Sequence, residues 1–195
     1  MVKVYYRRIE TIDDETKKYI LSKLSKKALI RLQQKNNPHL YNASLCALSL
    51  LNKEQMADLD YTEAGRPFFS TMDADISISH SNDLVAVAIS ESNEHRVGVD
   101  IEPISEKDPD TLKRFAERFF TEDEMISFSS GTTLTEIWTK KEALFKRLKN
   151  PHGILVNLDS THPESLGAFF AMLNIDNSIL TVCASTGEKI DFIKK

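Results

Sequence analysis

Residues 97–102 read Val97-Gly98-Val99-Asp100-Ile101-Glu102, an apolar strand pattern with acids at two alternate positions. Because side chains alternate across a strand, Asp100 and Glu102 share one face, opposite the branched apolar residues. Two neighbouring carboxylates repel each other unless a cation lies between them. The pair therefore has two interpretations: a solvated strand edge, or part of a site for a hard cation such as Mg²⁺.

A second motif supplies a third acid. The stretch Trp138-Thr139-Lys140-Lys141-Glu142-Ala143-Leu144-Phe145-Lys146 lies in a predicted helix over 134–149. One face of that helix carries two aromatic rings, one acid and two ammonium groups: Trp138, Lys141, Glu142, Phe145 and Lys146. Charges among aromatic rings favour the wall of a cleft, with Glu142 as a third metal ligand. An ordinary surface pair between Glu142 and Lys146 explains the same pattern.

The remaining chain predicts an α+β protein. Strands are predicted at 2–9, 76–80, 84–91, 96–102, 154–158, 167–174 and 178–184, and helices at 16–36, 43–51, 109–119, 122–129 and 134–149, the last ended by Pro151 and Gly153. The order of elements predicts two similar, pseudo-symmetric lobes, each an antiparallel sheet packed with helices. We place them at 1–103 and 104–195, with the active-site cleft between them.

Composition excludes several classes of protein. The chain has 195 residues, of which 41% are hydrophobic, and a net charge of −4, which argues against a nucleic-acid binder. No stretch is apolar for long enough to cross a membrane, and the N-terminus does not resemble a signal peptide. Cys46 and Cys183 each lie in an apolar run, so we expect buried free thiols and a cytoplasmic protein.

Two further stretches carry groups that bind phosphate. Ile76-Ser77-Ile78-Ser79-His80-Ser81 ends a strand with an imidazole flanked by hydroxyls, all potential donors to phosphate oxygens. Gly65-Arg66-Pro67 holds an arginine in a turn, where it can clamp phosphate. The sequence has no P-loop, no dinucleotide-binding glycine motif and no nucleophile elbow, so kinase and hydrolase functions lose their usual support.

Taken in order, five motifs resemble those of the 4′-phosphopantetheinyl transferases, in the larger, surfactin-type class with both lobes in one chain. They are Gly65-Arg66-Pro67, residues 76–81, residues 97–102, residues 118–124 (Arg-Phe-Phe-Thr-Glu-Asp-Glu) and residues 138–146. The resemblance implies a reaction in which coenzyme A, as substrate, gives its phosphopantetheine arm to a serine of an acyl or peptidyl carrier protein. It also implies Mg²⁺ as cofactor and 3′,5′-ADP as the product released.

The resemblance also implies roles for individual residues. The metal ligands would be Asp100, Glu102 and Glu142. The groups that bind coenzyme A would be Arg66, Pro67, Ser79, His80, Lys141 and Lys146. The base that takes the serine proton would be Glu142 or, less favoured, Glu124. Related enzymes carry an arginine early in the helix before the Gly-Arg-Pro turn; it is missing here, and Lys27 or Arg31 is the candidate to replace it.

Carrier proteins are acidic, so the enzyme needs a local basic face, for which Lys140, Arg147 and Lys149 are candidates. Phe115, Phe119 and Phe120 offer an apolar edge. We expect a monomer that serves fatty-acid or secondary-metabolite biosynthesis and binds neither nucleic acid nor membrane. Two alternatives remain: a non-catalytic module that binds coenzyme A or a carrier protein, and another magnesium-dependent phosphoryl enzyme.

Overall fold

The computed structural model describes residues 1–148 and 155–195. The strands are β1 (Val2–Arg8), β2 (Leu59–Tyr61), β3 (Pro67–Phe69), β4 (Asp75–Ser81), β5 (Leu84–Ser90), β6 (Gly98–Pro103), β7 (Ala168–Ile175), β8 (Ser178–Ser185) and β9 (Ile190–Lys194). The helices are α1 (Asp14–Lys23), α2 (Lys26–Gln33), α3 (Pro38–Leu48), α4 (Lys53–Asp58), α5 (Pro109–Phe119), α6 (Glu122–Ser129) and α7 (Leu134–Leu148). None of the helices in these ranges is both long and apolar enough to span a bilayer.

Two main sheets form the protein, and the predicted α+β class is confirmed. The first has the strand order β4-β5-β1-β9, and the second has the order β6-β8-β7. All pairs are antiparallel except β1 with β9. Strands β2 and β3 form a separate short hairpin. Two strands cross the predicted lobe boundary after Pro103: β6 joins the sheet of β7 and β8, and β9 returns to β1.

The first sheet is buried on both faces, because its strands supply two separate cores. On β5, Val85 and Val87 pack with helices α1 to α4, whereas Ala86 and Ala88 pack against the second sheet. The second sheet contributes Val99, Ile101, Leu180 and Val182 to that interface. The acids of β6 therefore lie on the opposite face, as the alternation of the strand predicts.

Helix boundaries differ from the prediction where side chains cap helices. The predicted helix 16–36 is two helices, because the Ser25 hydroxyl accepts a hydrogen bond from the amide of Ala28 and starts α2. The predicted helix 43–51 begins earlier, at Pro38, with Asn37 as its cap. The helices at 109–119 and 122–129 are confirmed.

Other predicted elements were wrong or missed. Residues 155–157 form a 3₁₀ turn instead of the predicted strand 154–158. The short elements α4, β2 and β3 and the C-terminal strand β9 were not predicted, since each is too short to show a clear period. Lys149, Pro151 and Gly153, predicted to lie at the end of the long helix, fall outside the described residues.

Gly98 brings β6 into direct contact with α7. A Cβ atom at this position would lie 2.6 Å from the amide nitrogen of Arg147 and closer still to the carbonyl oxygen of Ala143. Both are backbone atoms of a helix and cannot turn away as a flexible side chain can. The absence of a side chain at Gly98 therefore sets the spacing between the acids of β6 and the charged residues of α7.

We expect Gly98→Ala to lower the free energy of unfolding by about 1–3 kcal/mol, because the new methyl group forces β6 and α7 apart. Urea unfolding measures this change. Gly167→Ala is the control: its Cβ would meet open space, and its cost comes only from the left-handed backbone (φ 60°). Any activity measured at the site between β6 and α7 should fall in the first variant alone. Wild-type stability in Gly98→Ala would contradict this account.

Both cysteines are buried free thiols, as predicted. Burial, opposed by the nearby Arg147, raises the pKa of Cys183 to about 12. The thiolate is the reactive form, so Cys183 should be unreactive in the folded protein. We expect Ellman's reagent to label neither cysteine of the native protein and to label both in denaturant. Rapid labelling of native protein would show that Cys46 or Cys183 is accessible.

Candidate active site

The acids of β6 face α7. Asp100 is only 3% exposed, and its Oδ1 accepts hydrogen bonds from Ser79 Oγ at 2.9 Å and Lys146 Nζ at 2.7 Å. Within the described residues its Oδ2 is buried without a hydrogen-bond partner. Glu102 is half-buried and accepts a hydrogen bond from Ser81 Oγ at 3.1 Å. A buried carboxylate oxygen without a donor is costly, so Asp100 Oδ2 is suited to a cationic or hydrogen-bonding ligand.

Strand β4 lies beside β6 and contacts it with every second side chain. Ser77 Oγ accepts the amide of Val99 at 3.1 Å, and Ser79 and Ser81 donate to the two acids. The Ser79 hydroxyl, predicted to bind phosphate, donates a hydrogen bond to Asp100 in this structure. The alternate side chains of β4, which include His80, point to a separate cavity.

Helix α7 brings a carboxylate and an ammonium group to the same place. Burial raises the pKa of Glu142; Lys146 opposes this shift and Asp100 adds to it. Burial also raises the pKa of Glu102, and the charges of Asp100 and Glu142 raise it further. Asp100, Glu102 and Glu142 therefore lie within electrostatic reach of one another, around the ammonium of Lys146.

The donor set fits a hard cation. The three carboxylates offer only oxygen, the ligand that Mg²⁺ prefers, and the bare Oδ2 of Asp100 is free to bind it. Among residues 1–148 and 155–195, no three His, Cys, Asp or Glu side chains stand close enough together to hold a metal ion as they are. Lys146 occupies Oδ1 of Asp100, so the side chains of Glu102 and Glu142 would have to move to complete the set.

A cationic cavity of about 150 Å³ lies on the other side of β4. It contains three nitrogen groups, those of Arg31, Lys35 and His80. The Arg31 guanidinium stacks over the Tyr61 ring at 5.0 Å and lies so close to Gly65 that a Cβ there would overlap it. The remaining wall is mostly apolar: Ala28, Leu32, Ala47, Leu48, Pro67 and Ile78, together with Ser44. Such a cavity suits a ligand with an anionic group and a flat apolar part.

Charges around this cavity are crowded. Burial lowers the pKa of His80, and nearby Lys35 and Lys146 lower it further, so the imidazole is neutral at pH 7. Burial and Arg31 likewise lower the pKa of Lys35. An anion bound among these groups would relieve the repulsion. The charges of Lys35 and Lys146 both act on His80, so the cavity and the acidic site are close enough to interact electrostatically.

The comparisons with known proteins agree with this arrangement. The chain is 30% identical over 138 residues to the 4′-phosphopantetheinyl transferase AcpT of Salmonella typhi, an alignment that covers 67% of this chain and 69% of that protein. The family model described as the 4′-phosphopantetheinyl transferase superfamily matches residues 96–181. The chain belongs to this superfamily. The family and the enzyme class predicted from the motifs are thereby confirmed.

Two further relatives extend the comparison. AcpT of Escherichia coli (strain K12) is 30% identical over 67% of this chain and 68% of its own length. The 4′-phosphopantetheinyl transferase gsp of Aneurinibacillus migulanus is 39% identical over 49% of this chain and 39% of its own length. The match of the superfamily model includes β6 and α7, which carry the three acids and Lys146, and the first half of β8.

Two residues carried over from the transferase motifs, Lys141 and Glu124, lie in the interior of this structure. Lys141 and Glu124 are both fully buried, with Lys141 Nζ 2.6 Å from Glu124 Oε2. Lys141 also donates to the carbonyl of Leu158 at 2.6 Å, and Glu124 Oε1 accepts from the Ser160 hydroxyl at 2.7 Å. In this structure the polar atoms of both side chains therefore bind protein groups in the interior, and their roles toward coenzyme A and the serine proton stay predictions.

The basic residues proposed for coenzyme A separate into two groups. Arg31 lines the cavity, whereas Lys27 is exposed and pairs with Asp60 at 3.1 Å. Pro67 lines the cavity, but the neighbouring Arg66 points inward to Asp75. Lys35, which the sequence did not single out, follows the end of α2, four residues after Arg31, and shares the cavity. Its spacing of four residues was the available signal.

A third feature of this transferase is an aromatic cluster beside Glu102. Trp138 packs edge-on against Phe115 and Phe119, with ring centroids 5.0 and 5.6 Å apart. A cavity of about 480 Å³ runs along this cluster and includes Glu102, Ile104 and Leu112 in its lining. This cavity, here called the apolar channel, extends from α5 to Glu102 of the acidic site, and polar side chains such as Glu106 and Lys107 also line it.

Proposed function

We propose that this protein transfers the 4′-phosphopantetheine arm of coenzyme A to a serine of an acyl or peptidyl carrier protein and releases 3′,5′-ADP. The proposal rests on the bare Oδ2 of Asp100, which lies near the other two acids and the ammonium of Lys146. The cationic cavity lies on one side of this site, at His80, and the apolar channel on the other, at Glu102. The cationic cavity suits the nucleotide end of coenzyme A. The apolar channel suits the pantetheine arm and the approaching carrier.

We assign Asp100, Glu102 and Glu142 as the residues that would hold Mg²⁺. When bound, the ion would neutralise charge that develops on the pyrophosphate of coenzyme A. The ammonium of Lys146, which already lies at Asp100, would help to neutralise the same negative charge on the pyrophosphate. Arg31, Lys35 and His80 hold the nucleotide phosphates through charge and hydrogen bonds.

In the transfer, the serine oxygen forms a bond to the phosphorus that carries pantetheine. The bond between this phosphorus and the bridging oxygen breaks, and 3′,5′-ADP leaves with that oxygen. The serine proton passes to Glu142 through a water molecule, because a carboxylate that also binds metal is a weak direct base. Glu124, the other candidate base, is enclosed by Lys141 and Ser160.

The surface of this protein that binds the acidic carrier needs positive charge, and α5 supplies that charge. Lys113, Arg114 and Arg118 are exposed on the helix whose Phe115 lines the apolar channel. Arg147, predicted to belong to a basic face, is instead 8% exposed and donates to the carbonyl of Gly167 at 3.1 Å. We therefore place the acidic carrier against α5, where charge steers its approach.

We expect Lys113→Glu combined with Arg114→Glu to raise KM for an acidic carrier protein by about tenfold or more while kcat stays within about twofold. The matched control is Lys18→Glu combined with Lys53→Glu, an equal change of charge at exposed positions of α1 and α4. Initial rates at several salt concentrations measure both. Equal effects from the two double variants would indicate a general charge effect and remove α5 from the proposal.

The test of the function is intact-mass analysis of an apo carrier protein incubated with this protein, coenzyme A and Mg²⁺. A mass gain of one phosphopantetheine arm, lost with chelator and in Glu142→Gln, supports the transferase and its metal. Coenzyme A binding without mass gain on several carriers would favour the binding module instead. Consumption of nucleotide without any change of the carrier would favour another phosphoryl enzyme.

Two further points belong to the proposal. The three carboxylates and the cavity groups of Arg31, Lys35 and His80 all come from one chain, so a monomer is sufficient for activity. Two buried free thiols fit a reducing compartment, which favours the cytoplasm.

A further inference from the structure

The side chain of Arg66 turns away from the cationic cavity. Its neighbours Gly65 and Pro67 both line that cavity, and Arg66 does not. Its side chain is 16% exposed and points into the protein. There its Nη1 donates to the carbonyl of Lys146, and its Nη2 lies 3.1 Å from Asp75 Oδ2. The guanidinium thus binds protein atoms where a phosphate would otherwise be expected.

The partner of Arg66 reaches β6. Asp75 is 2% exposed, and its Oδ2 also accepts the amide of Val97 at 2.9 Å. Arg66 Nη2 in turn lies 3.3 Å from the carbonyl of Val97. The ion pair therefore binds both backbone groups of Val97, the residue immediately before β6.

These contacts join the two elements that carry the acidic site. The pair holds β6 at its start, two residues before the strand reaches Val99 and three before Asp100. It holds α7 in its last turn, at the backbone of Lys146 itself.

We infer that Arg66 and Asp75 are a positioning pair, which fixes the last turn of α7 against the start of β6. The inference rests on the proposed function, and it replaces the phosphate-binding role that the transferase motif implies for Arg66. A planar guanidinium can reach α7, Asp75 and Val97 together, whereas a lysine ammonium is a single point of charge. Without the planar guanidinium and its several donors, Glu142 and Lys146 can move relative to Asp100.

The two roles predict opposite results for conservative variants. If Arg66 bound phosphate, Arg66→Lys would weaken coenzyme A binding because the fork of donors is lost, whereas Asp75→Asn would leave that binding unchanged or stronger. A positioning pair is damaged by either change. Since displacements near 1 Å can reduce rates about 100-fold, we expect kcat to fall by about tenfold or more in Arg66→Lys and in Asp75→Asn. The double variant should lose little more than either single variant, because the residues act together.

The experiment measures ligand binding, amide hydrogen exchange and turnover in four proteins. They are the wild type, Arg66→Lys, Asp75→Asn and the double variant. Calorimetry gives Kd for coenzyme A and for dephospho-coenzyme A, which lacks the 3′-phosphate. Hydrogen exchange measured by mass spectrometry reports on residues 142–148, about the last two turns of α7. Lys35→Met serves as the reference for a phosphate contact: it should weaken coenzyme A binding much more than dephospho-coenzyme A binding.

For a positioning pair, both variants bind the two ligands within about threefold of wild type, while exchange at 142–148 rises. A loss of coenzyme A affinity in Arg66→Lys that disappears with dephospho-coenzyme A, as in Lys35→Met, would overturn the inference. Hydrogen exchange and kcat that both stay at wild-type values in Arg66→Lys and Asp75→Asn would also overturn the inference.

If a single variant does not fold, Arg66→Met with Asp75→Leu removes both buried charges at once and should fold. In that protein faster exchange supports the inference, and wild-type exchange overturns it. Absence of transfer in the wild-type protein would count against the proposed function alone, because binding and exchange do not depend on turnover.

Discussion

Asp100→Asn is expected to reduce the rate of phosphopantetheine transfer by about 100- to 1000-fold, the usual cost of removing a group that stabilises transition-state charge. The reason is the geometry of one carboxylate. Oδ1 anchors Lys146, and Oδ2 is the bare oxygen that we assign to Mg²⁺. An amide keeps the shape of the side chain but lacks the negative charge that both partners need.

Initial rates at saturating coenzyme A, measured across a range of Mg²⁺ concentrations, test this expectation. The rate of the variant should stay low at every concentration, because the defect lies in both charge and metal binding. Asp191→Asn, an equal change on the exposed face of β9, should leave the rate within about twofold. A rate for Asp100→Asn within about threefold of wild type would remove Asp100 from the metal site. Coenzyme A binding should persist in the variant, which separates loss of catalysis from loss of folding.

The acidic site was predictable from the sequence because it depends on the period of one strand. Asp100 and Glu102 alternate with Val99 and Ile101, and a strand buried on one face leaves them only the other. The same rule applied to β4 would have placed Ser77, Ser79 and Ser81 together on one side and His80 on the other. The serine hydroxyls and His80 were instead assigned together to phosphate, so the contact between the serines and β6 was missed.

The faces of α7 were harder to predict. A helical wheel groups Lys141 with Glu142, Phe145 and Lys146, yet it does not say what packs on each side. In the structure α7 is covered from several directions: β6 and Asp100 on one side, and Glu124 and the segment at Leu158 on another. Lys141 and Lys146 therefore lie in different surroundings. This difference depends on contacts between distant parts of the chain, which local periodicity cannot describe.

The position of Arg66 shows a related limit. A Gly-Arg-Pro turn predicts an arginine in a constrained loop, and constrained arginines often bind phosphate. The structure shows that Asp75, nine residues later, competes for the same guanidinium from inside the protein. A motif supplies the residue type, whereas the buried partner decides which way the side chain points.

Lys141→Ala is expected to lower the free energy of unfolding by about 3–5 kcal/mol, because it leaves Glu124 as a buried charge without its cation. Both side chains are fully buried, and the distance between Nζ and Oε2 is 2.6 Å. If Lys141 instead served coenzyme A, its removal would weaken ligand binding and leave stability nearly unchanged. Urea unfolding at neutral pH distinguishes the two.

A second variant tests whether the uncompensated charge is the cause. Lys141→Met with Glu124→Gln removes both charges and keeps the volume, and the glutamine oxygen can still accept from Ser160. We expect it to recover most of the lost stability, since buried ion pairs are often replaceable by neutral groups of similar size. Lys140→Ala, at the neighbouring position, should change stability by no more than about 0.5 kcal/mol. If the double variant is as unstable as Lys141→Ala, packing of the lysine stem, and not the charge, explains why α7 needs this residue.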